Sequence, residues 1–342
     1  MNVKKYLINY RIKKLFILIA LSFILVTACN SSEIQRGNIS TQHAETVTDC
    51  RVIKHSLGKT CVPVKPQRII TSDPWFLDPL LALGTKEFIV GTSCYNWGWV
   101  ASGCVATGLS ANQLEGIEKV GGYNTPSLEK ILLLKPDLIL GIENILKSIY
   151  KQLSNIAPTV LITWDADLDS SFKTYLRRIA QIIDREEVAE EILLQYQNRI
   201  AEVRKQLGDH LKSAEVSVIV YGSGGNDTFS IYPRHAIWFQ ILDDLGVKIK
   251  PIFLIRHKSG YSHLSIEATN DYDSDILFFL NVHSKSGAFI LEKPLIASLK
   301  AVKNGRAYVI DGQDVWDVYG PFGVNRLLDA LSEKLLKAAQ TF

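Results

Sequence analysis

Of the six tryptophans in this 342-residue chain, five follow short apolar runs rather than sitting inside them. Trp75 follows Arg68–Thr71, Trp97 and Trp99 follow Phe88–Gly91, Trp164 follows Thr159–Ile162, and Trp316, with Tyr319 close behind, follows Ala307–Ile310. Large rings at strand ends suit non-covalent capture, because the ring face packs on a ligand while the indole N–H takes a directed hydrogen bond. Tyr123, Tyr221, Tyr232 and Tyr261 add hydroxyl tips, and Arg234 and Arg256 offer cations to an anionic ligand after predicted strands of the second half. Trp238 differs: its spacing with Ile237, Ile241 and Leu242 puts it on the apolar side of a helix, a core position.

Covalent chemistry finds little support in the same residues. Gly222-Ser223-Gly224-Gly225 follows a strand but lacks the spacing of a dinucleotide fingerprint or a phosphate loop, and no G-x-S-x-G elbow exists. His235, His257, His263 and His283 are scattered, without the short spacings of a strong metal site. No carboxylate pair marks an acid/base site. Neither a catalytic residue nor a cofactor is expected.

The elements that must hold these side chains alternate along the chain. Apolar strands at Arg68–Thr71, Phe88–Gly91, Asp137–Leu140 and Thr159–Ile162 are interleaved with helices near Trp75–Leu83, Ser127–Leu134 and Ile145–Ile156, the pattern of a parallel α/β sheet. It resumes with Val216–Tyr221, a helix from Ala236 closed by Gly246, then Asp275–Leu280, Ala307–Ile310 and a helix over Asn325–Ala339. Between the halves lies the longest helical signal. Phe172, Tyr175, Leu176, Ile179 and Ile183 make one apolar face; Asp184 reads as a new N-cap with Glu187 three residues on, and a second helix runs to Leu211, a rod of roughly 40 Å. The pattern predicts an α/β fold of two Rossmann-like lobes, residues 50–170 and 213–342, joined by a helical spine at 171–212. A single helical crossing also predicts limited lobe closure.

One internal echo stands out. Ser127-Leu128-Glu129 precedes Asp137-Leu138-Ile139, and Ser265-Ile266-Glu267 precedes Asp275-Ile276-Leu277, every matched position 138 residues apart. Glu in a first helical turn opposes the helix dipole favourably, which accounts for either glutamate alone but not for the shared spacing.

The first 28 residues carry five basic side chains, no acids and an uncharged run from Leu15 to Ala28, too short for a bilayer span and suited to a signal peptide. Their removal takes the formal charge from +3 to −2, and without a Lys/Arg-rich run nucleic-acid binding is not expected. Val26-Thr27-Ala28-Cys29 resembles the lipobox of bacterial lipoproteins, in which the cysteine is lipidated, and residues 29–49 are polar and aperiodic, as a tether would be. Four cysteines remain. By proximity they suggest Cys50 with Cys61 and Cys94 with Cys104, one of three connectivities. A hairpin turning at Leu57-Gly58 would set Cys50 opposite Lys65, so the first pairing calls for a bulge or a longer loop.

Several stretches together resemble the class III, or cluster A, substrate-binding proteins of ABC importers, and within them the iron-siderophore branch. They are Ile53–Pro63, Pro66-Gln67-Arg68-Ile69-Ile70, Pro126-Ser127-Leu128-Glu129-Lys130 with Lys135–Ile139, and Leu299–Asp311 with Trp316 and Gly320-Pro321. The resemblance implies two lobes joined by one long helix, a ligand cleft, and one exposed glutamate per lobe that meets arginines of the permease; Glu129 falls on the first such position and Glu267 on the second. It also implies a monomeric, lipid-anchored protein outside the cytoplasmic membrane that performs no reaction and serves a permease dimer with its ATPase. Trp75, Trp97, Trp99, Tyr123, Trp164, Tyr232, Arg234, Arg256 and Trp316 are the expected ligand contacts. Sparse cations favour a hydroxamate or citrate-hydroxamate ferric complex; cobalamin, haem or a bare metal ion are the rivals within the class, and a tethered α/β hydrolase the rival outside it.

Overall fold

The computed structural model describes residues 49–94, 109–163, 171–222, 228–251, 261–282, 286–312 and 320–342. An antiparallel hairpin of β1 (Cys50–His55) and β2 (Gly58–Pro63) comes first. A six-stranded sheet follows, built from β3 (Ile69–Thr71), β4 (Ile89–Cys94), β5 (Glu118–Gly122), β6 (Thr125–Pro126), β7 (Leu138–Ile142) and β8 (Thr159–Ile162) in the order β6-β5-β4-β3-β7-β8. Helix α1 (Leu77–Ala82) crosses from β3 to β4, and α2 (Leu128–Leu133) leads into β7. All pairings except the short β5–β6 hairpin are parallel.

The second half repeats the theme with β9 (Glu215–Tyr221), β10 (Phe229–Ile231), α5 (Ile237–Leu245), β11 (Lys248–Ile249), β12 (Ser262–Leu264), β13 (Ile276–Asn281) and β14 (Ala307–Asp311). Its order is β12-β10-β9-β13-β14, with β11 also beside β9. Strands β9, β13 and β14 run parallel, as β3, β7 and β8 do. Two α/β lobes are therefore present, as the alternation of strand and helix signals predicts. The strands missing from that prediction are short or polar: β5 reads Glu-Lys-Val-Gly-Gly and offers no apolar run to detect.

Alternating strand residues face two different cores. Ile69, Leu138, Leu140 and Val160 of the first sheet share one continuous cluster with Val216, Val218, Ile276, Phe278 and Ile310 of the second. Ile70, Ile139 and Leu161 look the other way into a separate core, and Ile219, Leu277 and Phe279 into a third. The shared cluster is completed by α1, by α3 (Phe172–Ile183) and α4 (Glu186–Leu207), by α5, and by the last helix, α6 (Pro321–Ala339). One face of each sheet thus rests on a common helical layer.

Helices α3 and α4 are the spine, and two details of its expected form are corrected. Asp184 does not cap α4: it closes α3 in the left-handed conformation at φ 62°, which a short polar side chain tolerates, and Arg185 precedes α4 without a side-chain cap. The second helix ends at Leu207, not Leu211, because Gly208 at φ 55° turns the chain; at 22 residues it spans about 33 Å. Lys173 and the Tyr196 hydroxyl, each 2.7 Å from Asp244 Oδ2, tie the spine to α5. Arg199 on α4 donates to Asn325 and Asp329 of α6.

The hairpin resolves the geometric objection to Cys50–Cys61. Its two-residue turn falls one residue earlier than expected, at Ser56-Leu57, with His55 opposite Gly58 and Cys50 opposite Pro63, so the two cysteines sit diagonally at a Cα separation of 5.5 Å and join without a bulge. Arg51 on the same strand reaches Asp184 at 3.1 Å and Glu186 at 3.2 Å, pinning the break in the spine. Cys94 is also disulfide-bonded; Cys104 lies outside the described residues, as do Cys29 and the signal segment.

Candidate ligand cleft

In open α/β sheets ligands gather beyond the carboxyl ends of the strands, and the first lobe builds that edge from hydroxyls. Thr71 at the end of β3 shares a 2.8 Å hydrogen bond with Thr92 of β4, and Ser72 Oγ donates to the Leu140 carbonyl at 3.1 Å. The chain then turns through Asp73, whose Oδ1 accepts from the Trp75 amide at 2.9 Å, into a single 3₁₀ turn at Pro74–Phe76. Phe76 is driven into the shared core, which leaves Trp75 half-buried at its margin. Tyr123 follows β5, its amide donating to the Cys94 carbonyl at 2.9 Å, and is half-buried as well.

After β8, Thr163 donates to Glu143 at 2.9 Å. Hydrogen bonds from Ser56, Thr163 and Lys147 hold the Glu143 carboxyl below the usual range. The hairpin turn, the end of β7 and the start of the segment bearing Trp164 meet at that one side chain. The hairpin is fixed from the other side by His55, whose Nε2 lies 2.9 Å from Thr60 Oγ1 and 3.3 Å from Tyr150 OH. Burial, the largest influence on the ring, holds its pKa below the ordinary value.

The second lobe supplies an aromatic cluster. Tyr232 stacks on Tyr261 with centroids 5.1 Å apart and planes 17° apart, and meets Trp238 edge-on at 5.1 Å. Tyr261 in turn lies edge-on to His263, whose Nδ1 is 3.0 Å from Ser230 Oγ. Trp238 is 5% exposed and belongs to the core, as its spacing predicts. Arg234 sits over the Phe239 ring at 5.6 Å and donates to Asp243 at 2.6 Å, so its charge already has a partner that any anionic ligand must share. At the ends of β13 and β14, Asn281 is fully buried and donates to Asp311 Oδ1 at 2.8 Å, an oxygen that also accepts from Gly287 N at 2.7 Å. That scaffold is not among the sequence expectations; its signal is the Asn that ends the run Ile-Leu-Phe-Phe-Leu-Asn.

The structure therefore places Trp75 and Tyr123 at the first sheet's carboxyl edge and gathers Tyr232 with Tyr261 in the second lobe; Trp75 and Tyr232 both pack against the shared core. Trp97, Trp99, Trp164, Arg256 and Trp316 lie outside the described residues. Among the described residues no group of three His, Cys, Asp or Glu side chains converges as a metal site would require. No described helix is long and apolar enough to cross a membrane.

The two echoed glutamates occupy matched turns. Glu129 is exposed in the first turn of α2, where Ser127 Oγ accepts from Lys130 N at 3.3 Å; Glu267 is exposed at the start of a turn where Ser265 Oγ accepts from Ala268 N at the same 3.3 Å. The aspartates match too. Asp137 accepts from Gln67 N and Arg68 N ahead of β3, and Asp275 from Glu215 N at the start of β9, in each case fixing the neighbouring parallel strand.

Comparison with known proteins agrees with this architecture. Residues 69–313 match the periplasmic binding protein family, and the chain belongs to it. It is 30% identical over 341 residues to the probable siderophore-binding lipoprotein YfiY of Bacillus subtilis, covering 95% of this chain and 98% of that one. The Fe(3+)-citrate-binding protein YfmC of the same organism is 30% identical over 86% of this chain and 88% of its own. Among solved structures, Staphylococcus aureus SirA complexed with staphyloferrin B superposes with a TM-score of 0.64 at 27% identity, covering 83% of this chain and 98% of that one.

Proposed function

We propose that this protein captures a ferric siderophore and hands it to an ABC permease, acting by binding and release without a covalent step. The observation that carries the reading is the pairing of two lobes, each with an aromatic strand-end surface and a matched Ser-x-Glu turn, in a chain whose relatives are named for ferric complexes. Trp75, Trp97, Trp99, Tyr123, Trp164, Tyr232, Arg234, Arg256 and Trp316 contact the ligand, and Glu129 and Glu267 contact the permease. Because Arg234 is already balanced by Asp243, a complex of modest negative charge, of hydroxamate or citrate-hydroxamate type, fits better than a highly anionic one.

Cys29 carries the lipid, residues 29–49 form the tether, and the monomer works on the outer side of the cytoplasmic membrane. Residues 50–170, 171–212 and 213–342 are the first lobe, spine and second lobe. The test is a fluorescence titration of purified residues 30–342 with ferric hydroxamates, ferric catecholates, ferric citrate, haem and cobalamin. Saturable tryptophan quenching by an iron complex, without turnover, is expected. Silence toward every iron complex overturns the proposal, and a response to haem or cobalamin alone reassigns the ligand.

A further inference from the structure

In sequence Asp78 is an ordinary acid in the first turn of α1. In the fold it is 7% exposed, and its partners lie at the far end of the chain. Oδ1 accepts from Phe322 N at 3.0 Å and Oδ2 from Gly323 N at 2.8 Å. These amides belong to the first turn of α6, where the N-cap position is Gly320, with no side chain to offer, and Pro321 follows. A capping side chain normally comes from the residue before its own helix. Here the other lobe provides it.

The surroundings are fitted to that contact. A Cβ on Gly320 would sit 2.3 Å from the Asp78 carboxyl carbon, so only glycine leaves room for the carboxylate at this helix end, although a backbone at φ −127° suits any residue. Arg326, one turn further along α6, adds positive charge, and the helix dipole acts in the same direction. Burial works against all of this and pushes the carboxyl up to about 6. A leucine here would avoid that cost but could not accept from the two α6 amides.

Two proposed ligand contacts are close in sequence to the joined elements. Trp75 lies three residues before Asp78, in the turn that runs into α1, and Trp316 lies four residues before Gly320. We infer that Asp78 is an interlobe latch, a positioning residue that fixes the start of the C-terminal helix to the first lobe and so presets the mouth of the cleft. Any twist of the lobes on their shared core must also break these two charge-assisted hydrogen bonds. The inference rests on the ligand reading only for its binding readout.

The test uses the full chain purified in detergent, with Asp78→Ala, Asp78→Asn, Gly320→Ala and the Asp78→Ala/Gly320→Ala double variant. Amide exchange at Phe322 and Gly323 reports the latch directly. Asp78→Ala should raise it by about tenfold or more while Ile219 and Phe278, deep in the second lobe, keep their protection. Gly320→Ala should do the same from the opposite side, and the double variant should be no worse than Asp78→Ala, since both changes act on one contact. Affinity for the tightest iron complex of the titration panel should fall several-fold in all four variants. Exchange that rises evenly through the chain, or effects that simply add, would overturn the latch. Released α6 amides with unchanged affinity would overturn its role in the cleft, and if no iron complex binds any variant, the exchange data still decide whether the latch exists. Should Asp78→Ala not fold, Asp78→Asn keeps the volume and one acceptor, and is read the same way.

Discussion

The stretch from Ser127 to Asp137 and its counterpart from Ser265 to Asp275 perform the same task with different helices. Leu128, Ile131 and Leu134 face the first lobe's outer core; Ile266, Thr269 and Tyr272 take the matching places in the second. In the first lobe the stretch is an α-helix. In the second it is a 3₁₀ turn from Glu267 to Tyr272, in which Thr269, at the place of Ile131, donates from its hydroxyl to the Ile266 carbonyl at 2.5 Å. The outward residues diverge as well: Leu132 and Leu133 are exposed at 59% and 72%, against Asn270 and Asp271. What stays constant is the serine that receives the i+3 amide, the exposed glutamate, and the aspartate that clamps the neighbouring strand. The lesson is that backbone-satisfying groups and the surface carboxylate are held in register while the flank between them is free to change.

The largest effect should come from removing what the lobes share on the surface. Glu129→Ala with Glu267→Ala should cut delivery into cells by about 100-fold or more, while ligand affinity stays within about twofold, as loss of charged contacts at an interface predicts. Uptake and fluorescence titration on the same variant decide it, and a collapse of affinity would remove the docking role. If the lobes engage equally, either single change should cost about the same; unequal losses would show that the divergent flanks matter.

Next comes the inner face. Ile131→Ala should lower stability by about 2–5 kcal/mol, whereas Leu133→Ala, two residues on, should stay within about 0.5 kcal/mol, measured by denaturant unfolding. A large loss at Leu133 would mean that it is covered in the intact protein.

Smaller effects distinguish a half-buried aspartate, Asp275, from the buried Asp78 by the sign of their pH dependence. The Glu215 amide, then Lys300, hold Asp275 below the usual carboxylate range, so its stabilisation is present above the unfolded pKa and is lost as pH falls through the acid range. Asp275→Asn should flatten the acid limb of the stability curve. Asp78, pushed up to about 6, behaves oppositely: between roughly pH 4 and 6 the folded state holds more protons than the unfolded one, so this group's contribution falls as pH rises. Asp78→Asn should remove that slope. Thermal unfolding from pH 4 to 8 measures both.

Closure of the lobes is the smallest change expected. Because both sheets rest on one continuous core and α6 spans between them, scattering profiles with and without a bound iron complex should nearly superimpose. A marked compaction would mean that the lobes slide on that layer.

Patterns local in sequence were legible. The 3.6-residue period gave α3, α5 and the two-part spine, alternation of strand and helix signals gave the two sheets, and a fixed offset of 138 residues gave the paired turns. What stayed hidden depends on distant partners. The last helix starts at Pro321, four residues before its apolar period at Asn325, because its cap arrives from Asp78, and no local rule links positions so far apart. Asp184 departs from expectation for a related reason: an aspartate between two helices serves equally as the cap of the second or the left-handed end of the first, and Arg51, far upstream, holds it in the latter. Arg234 shows the same limit at the site, since its partner Asp243, nine residues on within α5, comes into reach only in the folded chain.

The position of the Cys50–Cys61 bond has a mechanical meaning. Under the proposed anchoring, tension enters the fold at β1, and an antiparallel hairpin loaded at its open end peels apart one pair at a time. With a covalent bond at the first strand residue, the load passes to β2 and onward to the edge of β8, where Thr60 donates to the Thr159 carbonyl at 2.9 Å. If residues 29–49 are the proposed tether, the bond shields the fold from its pull, and drag should not unzip β1.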